Sequence, residues 1–212
     1  MLDTLQAHLE TVGDHADEFV RLDALRFDDE RDAAVLDIAV QGPYVDDGYE
    51  WSRWEVSALG VRSYGVQRAW GCISVHDSDH ILARCLWEPR RQLYTSARVL
   101  DPDATIGRLA VAHALVGGPW VRLGEYLRGP VGLNSLLMQR VAFLAEGPES
   151  FIQAYADVLR DEGAGASVLD GTPTLGWDGQ KYAAVQEKPN LSVLTLGDAF
   201  FVAGCFEESR RT

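Results

Sequence analysis

Residues 35–59 read VLDIAVQGPYVDDGYEWSRWEVSAL, and the alternation on either side of the acidic centre decides the fold class. Leu36, Ile38 and Val40 alternate with Asp37 and Ala39. A period of two sends one set of side chains inward, so residues 35–40 predict a half-buried strand. Gly42-Pro43 interrupts the run, and Asp46-Asp47-Gly48 supplies the positive-φ conformations of a tight hairpin turn. A second strand is expected over 49–59, with Trp54, Val56 and Ala58 on one face and Trp51, Arg53 and Glu55 on the other. At most one of the two tryptophans, Trp51 and Trp54, then reaches the core.

The same texture extends outward. Asp28-Asp29-Glu30-Arg31 predicts a turn from an earlier strand near 19–27. Gly60, Gly65 and Gly71 punctuate further short strands near 61–66, 72–75, 81–87 and 92–96, the spacing of an antiparallel sheet or small sandwich. Upstream, Leu2, Leu5, Leu9 and Val12 recur at three and four residues and predict a helix over 2–12 ending at Gly13.

Helical signals return at Asp101-Pro102, an N-cap followed by proline at the first helical position. Ile106, Leu109, Ala110 and His113 continue that helix, and Gly117-Gly118-Pro119 ends it. His113 is expected to be a core histidine bonded to a backbone group. Leu133, Leu136, Leu137, Val141 and Leu144 suggest another helix over 133–144, with a buried strand as the alternative. Phe151, Ile152, Tyr155, Val158 and Leu159 form an apolar stripe running from Gly147-Pro148-Glu149 to a cap at Gly163. After a turn-rich stretch at 163–174, strands are expected at 182–187, 191–196 and 199–206. Gly197-Asp198 joins the last two as a hairpin apolar enough for the core. The whole reads as a single α+β domain over 1–212. Its antiparallel strand-rich N-terminal half packs with a mixed helix/hairpin C-terminal half, and a composition break falls near 97–103.

Hydrophobic residues make up 47% of the chain and charged residues 24%, the balance of a globular protein and not of a disordered one. No apolar run approaches the roughly 20 residues that cross a bilayer. Met1-Leu2-Asp3-Thr4 lacks the basic start of a secretory signal, so a cytoplasmic location is expected. Cys72, Cys85 and Cys205 are few and odd in number, which suits a reducing compartment. Each falls in an apolar stretch and is expected to act as a small buried hydrophobe in a strand.

The net charge is −13, and residues 1–55 carry most of it, with fifteen Asp and Glu against four Arg. Residues 56–212 carry seventeen against fifteen. A negative field repels phosphate backbones and favours a basic protein partner, provided that the early carboxylates form one surface.

Two local clusters stand out. His76-Asp77-Ser78-Asp79-His80 places metal-ligand side chains close together, with Cys72 and Cys85 flanking it. The spacing fits no common zinc pattern, and an extended chain would hold His76 and His80 roughly 13 Å apart, so only a tight turn at 77–79 brings them together. His76, Asp79 and His80 are the candidate ligands of a divalent metal, and a metal-dependent hydrolase built on residues 76–80 is the alternative function. No other cofactor is expected: there is no Gly-x-x-x-x-Gly-Lys-Ser/Thr loop and no Gly-x-Gly-x-x-Gly after a strand. Gly-x-Ser-x-Gly is absent too, so no catalytic residue is assigned.

The second cluster is aromatic. Tyr44, Asp46, Asp47, Tyr49 and Trp51 combine rings with charge at one turn, the material of interface hot spots. The acidic, strand-rich first half resembles small bacterial immunity and inhibitor proteins in general character, with no motif behind the likeness. The leading expectation is therefore a non-enzymatic protein-binding module contacting its partner through this patch. A structural subunit of a larger assembly is a further alternative.

Overall fold

The computed structural model describes residues 2–12, 20–45, 48–67, 69–128, 130–177, 180–185 and 188–211. It is an α+β protein whose chain divides into two compact units, Met1–Ala83 with Asn190–Thr212, and Arg84–Pro189. The composition break at 97–103 lies inside the second unit, between a strand and a helix.

In the first unit, helix α1 (Asp3–Val12) precedes strands β1 (Val20–Asp28), β2 (Ala33–Val45) and β3 (Gly48–Leu59). Two short strands follow, β4 (Ser63–Gly65) and β5 (Ile73–His76). The chain leaves through a short helix α2 (Ile81–Arg84). It returns as β11 (Ser192–Leu196), β12 (Ala199–Ala203) and β13 (Cys205–Arg211). Two antiparallel sheets result, with strand orders β1-β2-β3-β13 and β4-β12-β11-β5. The alternation that predicts β2 and β3 decides which face is core: Leu36, Ile38, Val40, Trp54, Val56 and Ala58 are all buried. They share one hydrophobic cluster with Leu194, Leu196 and Phe201 of the other sheet and with Leu2 and Leu5 of α1.

The expected single strand over 199–206 is broken at Gly204. There the chain leaves the β12 pairing and enters the β13 pairing, and its N–H reaches Leu59 O at 2.9 Å. A Cβ at Gly204 would meet that carbonyl at 3.3 Å, so the switch between sheets favours a residue without a side chain. The strand expected over 81–87 is also overturned, since α2 and a turn occupy it. Leu82 and Ala83 are buried at adjacent positions, as one turn of helix allows and a strand with one buried face does not.

The second unit begins with β6 (Arg90–Thr95) and α3 (Pro102–Gly117), then α4 (Pro130–Leu137), β7 (Ala142–Pro148), α5 (Glu149–Asp161) and β8 (Ala166–Asp170). β7-β6-β8 form an antiparallel sheet, and β9 (Leu175–Trp177) pairs with β10 (Tyr182–Ala184). Asp101 caps α3 as expected, its side chain accepting from Ala104 N at 3.0 Å. The 133–144 stretch corrects the single-helix expectation. Leu133 and Leu137 belong to α4 and Leu144 to β7, all three buried. A short apolar run satisfies both periods, and spacing alone does not separate them. β8, in a region expected to be turns, was missed because it is half exposed and carries no alternating apolar face.

His113 is a core histidine. It is 3% exposed, its Nε2 donates to Val121 O at 2.8 Å, and its Nδ1 lies 2.5 Å from the Tyr155 hydroxyl.

Candidate functional site

Among the described residues, β1 pairs with β2 up to the Val20–Val40 partnership, and β13 pairs with β3 up to Arg53. Both central strands continue beyond these described pairings. Residues 41–52 therefore form a two-stranded arm with partners Gln41–Trp51, Tyr44–Tyr49 and Val45–Gly48. The register shifts between Gln41 and Tyr44, where Pro43 has no N–H to give to a ladder.

The arm carries the aromatic patch. Tyr49 is 54% exposed and Trp51 37%, whereas Trp54, on the other face, is 1% exposed. Trp54 Nε1 donates to Ser52 Oγ at 3.2 Å. Trp51 is partly covered by the Arg21 guanidinium, 4.8 Å from its ring. Tyr44 lies at its register position opposite Tyr49, while its side chain, with Asp46 and Asp47, falls outside the described residues.

Among the described residues, the early carboxylates do not form the single negative surface expected of them; Asp14, Asp17, Glu18, Asp46 and Asp47 lie outside those residues. Asp37 of β2 and Glu55 of β3 are direct cross-strand partners, an arrangement that alone is repulsive. Both are bracketed by arginines of the outer strands. Arg26 of β1 reaches Asp37 at 3.1 Å and Glu55 at 2.9 Å, and Arg211 of β13 reaches Asp37 at 3.0 Å and pairs with Glu55. Hydrogen bonds from Arg211 and Arg26 hold the Glu55 carboxyl below its ordinary range. Arg31 pairs with Glu207 at 3.2 Å and Arg21 with Asp23. Asp3 and Glu10 are exposed on α1, which packs against the sheet face opposite to Asp37 and Glu55. The negative charge of the described early residues is thus split between two sides and partly neutralised by arginines, one of them from the last strand.

At the histidine cluster, a turn closes the gap that an extended chain would leave. Asp77 Oδ1 accepts from Asp79 N at 2.8 Å, and His80 N donates to Asp77 O at 3.2 Å. The His76 and His80 rings stack with centroids 4.4 Å apart. Among the described residues, no group of three or more His, Cys, Asp or Glu side chains gathers as a metal centre, so Asp79 does not complete a site with the two histidines. A hydrolytic zinc is normally held by three protein ligands, and the turn brings two.

The cysteines depart from expectation. Cys72 and Cys205 are exposed, and Cys85 is half-buried in the turn after α2. Burial pushes the Cys85 thiol up to about 11, with a hydrogen bond from Tyr126 opposing it, so it is protonated at neutral pH.

Burial, and then the neighbouring His76, pushes His80 down to about 4. A histidine with a depressed folded pKa takes up its proton in the unfolded chain first, so acidification favours unfolding. Stability is expected to fall as pH drops from about 6.5 towards about 4. His80→Gln should remove part of that slope. Thermal melts of both proteins at several pH values in this window check it, and parallel curves would mean that His80 is not the group responsible.

A cavity of about 290 Å³ opens in the second unit beside Trp87, Glu88, Arg90, Arg91 and Asp170. Its charges are already matched. Glu88, 5% exposed, accepts from Arg84 and from Ser150 N and Oγ, and Arg91 pairs with Glu149 and Asp170. A second cavity, of about 260 Å³, lies in the first unit between α1 and β5. Sequence reading missed it, because it joins residues 2–9 to residues 73–76 and neither segment signals the other. No described helix is long and apolar enough to cross a membrane. Set against known proteins, the chain matches no family model, no curated protein and no solved structure.

Proposed function

We propose that this protein is a non-enzymatic protein-binding module that grips its partner with the β2–β3 arm. The observation that carries the reading is the arm itself, two strands extending past the described pairings of their neighbours with Tyr49 and Trp51 exposed. Aromatic rings of this kind anchor interfaces at low entropic cost because few torsions are frozen. The net charge of −13 favours a basic partner through its long-range field, and disfavours nucleic acid. Since Asp37 and Glu55 are already paired with arginine, charge contributes to encounter and the rings contribute to holding.

Tyr49→Ala combined with Trp51→Ala should leave thermal stability nearly unchanged, because surface substitutions cost within about 0.5 kcal/mol. The same double variant should weaken association at least about tenfold. Parallel native captures with wild type and variant, followed by titration of the captured proteins, measure this. A variant that retains every partner at wild-type affinity removes the arm from the binding surface.

A further inference from the structure

β5 ends the second sheet, paired to β11 on one side. Its hydrogen-bond phase is set by Gly197 N, which donates to Cys72 O at 3.0 Å and so makes Cys72 and Gly197 a hydrogen-bonded pair. Along an antiparallel ladder such pairs alternate with non-bonded ones. With the register Leu196–Ile73 through Val193–His76, Ser74 and His76 direct their backbone groups to β11. Ile73 and Val75 therefore direct theirs the opposite way. Among the described residues, no strand pairs with that outer edge.

This edge borders the 260 Å³ groove. All four residues of β5 line it together with Leu2, just before α1, and Leu5, Gln6 and Leu9 of α1. Side chains of consecutive strand residues point to opposite faces, so a cavity that touches all four runs along the edge and not over one face. Its lining is mixed, with Leu2, Leu5, Leu9, Ile73 and Val75 apolar and Gln6, Ser74 and His76 polar, and Val75 is 38% exposed. The donors and acceptors of Ile73 and Val75 repeat every two residues, roughly 7 Å, the repeat of an extended chain. Asp3 and Glu10 are exposed on α1 outside the groove lining, and that helix carries no lysine or arginine.

We propose that the β5 edge and α1 form a strand-addition site for an extended aliphatic peptide flanked by basic residues, contributed by another protein. The peptide pairs its backbone with Ile73 and Val75, seats one aliphatic side chain against Leu9 and Val75, and sets its cations near Asp3 and Glu10. This surface is separate from the β2–β3 arm and does not rest on it.

The test uses the full-length chain and the acetylated peptide Lys-Val-Thr-Val-Thr-Val-Lys, with a Glu-flanked twin and an N-methylated twin. In the free protein, amide exchange at Ile73 and Val75 should be fast and at Ser74 and His76 slow. Saturating peptide should slow Ile73 and Val75 at least about tenfold, as ladder amides are. Val75→Pro removes an outward N–H and no bond to β11, so it should keep the fold and weaken binding at least about tenfold. The exchange readout on the wild type stands even if that variant folds poorly. Absence of saturable binding up to about 1 mM, or binding without protection at Ile73 and Val75, overturns the proposal. Equal affinity for the Glu-flanked twin overturns its basic character. Protection in the free protein together with a dimeric sedimentation coefficient overturns the occupant in favour of a second copy.

Discussion

Ending the chain at Pro189 is expected to abolish the folded structure of the first unit. The removed segment carries β11 and β12, the two inner strands of one sheet, and β13, which closes the edge of β3. Without it β4 and β5 lose their strand partners, since β4 pairs with β12 and β5 with β11. The core cluster loses Leu194, Leu196, Phe201, Ala203 and Phe206 together. Each large side chain contributes about 1.5–3 kcal/mol by burial, and a domain's whole stability is about 5–15 kcal/mol. Amide exchange at Leu36 and Ile38, on the surviving β2, gives a readout independent of the second unit. Native-like protection there in the shortened chain would contradict the core assignment.

Trp54→Ala should cost about 3–5 kcal/mol, the range for emptying an aromatic core site. Trp54 is 1% exposed, lies in the cluster that joins both sheets, and bonds Ser52 through Nε1. His8 approaches its ring at 5.4 Å and Arg210 at 5.8 Å, so the loss also disturbs α1 and β13. Trp51→Ala, three residues away on the exposed face, should cost no more than about 0.5 kcal/mol. Urea unfolding of both variants measures the contrast. Similar midpoints for the two would mean that the alternation assigns the faces wrongly.

Much of the local structure is legible in the residues. The leucine stripe gives α1, Asp101-Pro102 gives the start of α3, and the Phe151–Leu159 stripe gives α5. These signals are local, because a helix or strand shows its own period and its own caps. Where the period is ambiguous, as over 133–144, the chain resolves into helix and strand only when each leucine finds its own burial site.

The candidate site is legible in kind but not in placement. Tyr49 and Trp51 stand out by composition, yet their exposure arises where β2 and β3 run beyond the described pairings with β1 and β13. The charge pattern misleads for a similar reason. Fifteen early carboxylates appear as one field in a linear reading. Strand order, however, sets Asp37 and Glu55 between Arg26 and Arg211, and Arg211 lies 156 positions from Glu55.

The amino-acid order by itself determined most of the strands and helices, those over 81–87, 133–144 and 166–170 excepted, and which face of β2, β3, α1 and α5 is apolar, because those properties are written at separations of two to four residues. Tertiary structure alone decided how distant groups meet. Glu208 accepts from Thr4 N and Leu5 N at the start of α1, and Glu88 accepts from Ser150 N at the start of α5, whose N-cap Pro148 makes no side-chain hydrogen bond. It also decided that the edge of β5 lies along a leucine-lined groove of α1. Such meetings depend on strand order and register, which are settled by the collective burial of the core and leave no trace in any one stretch of chain.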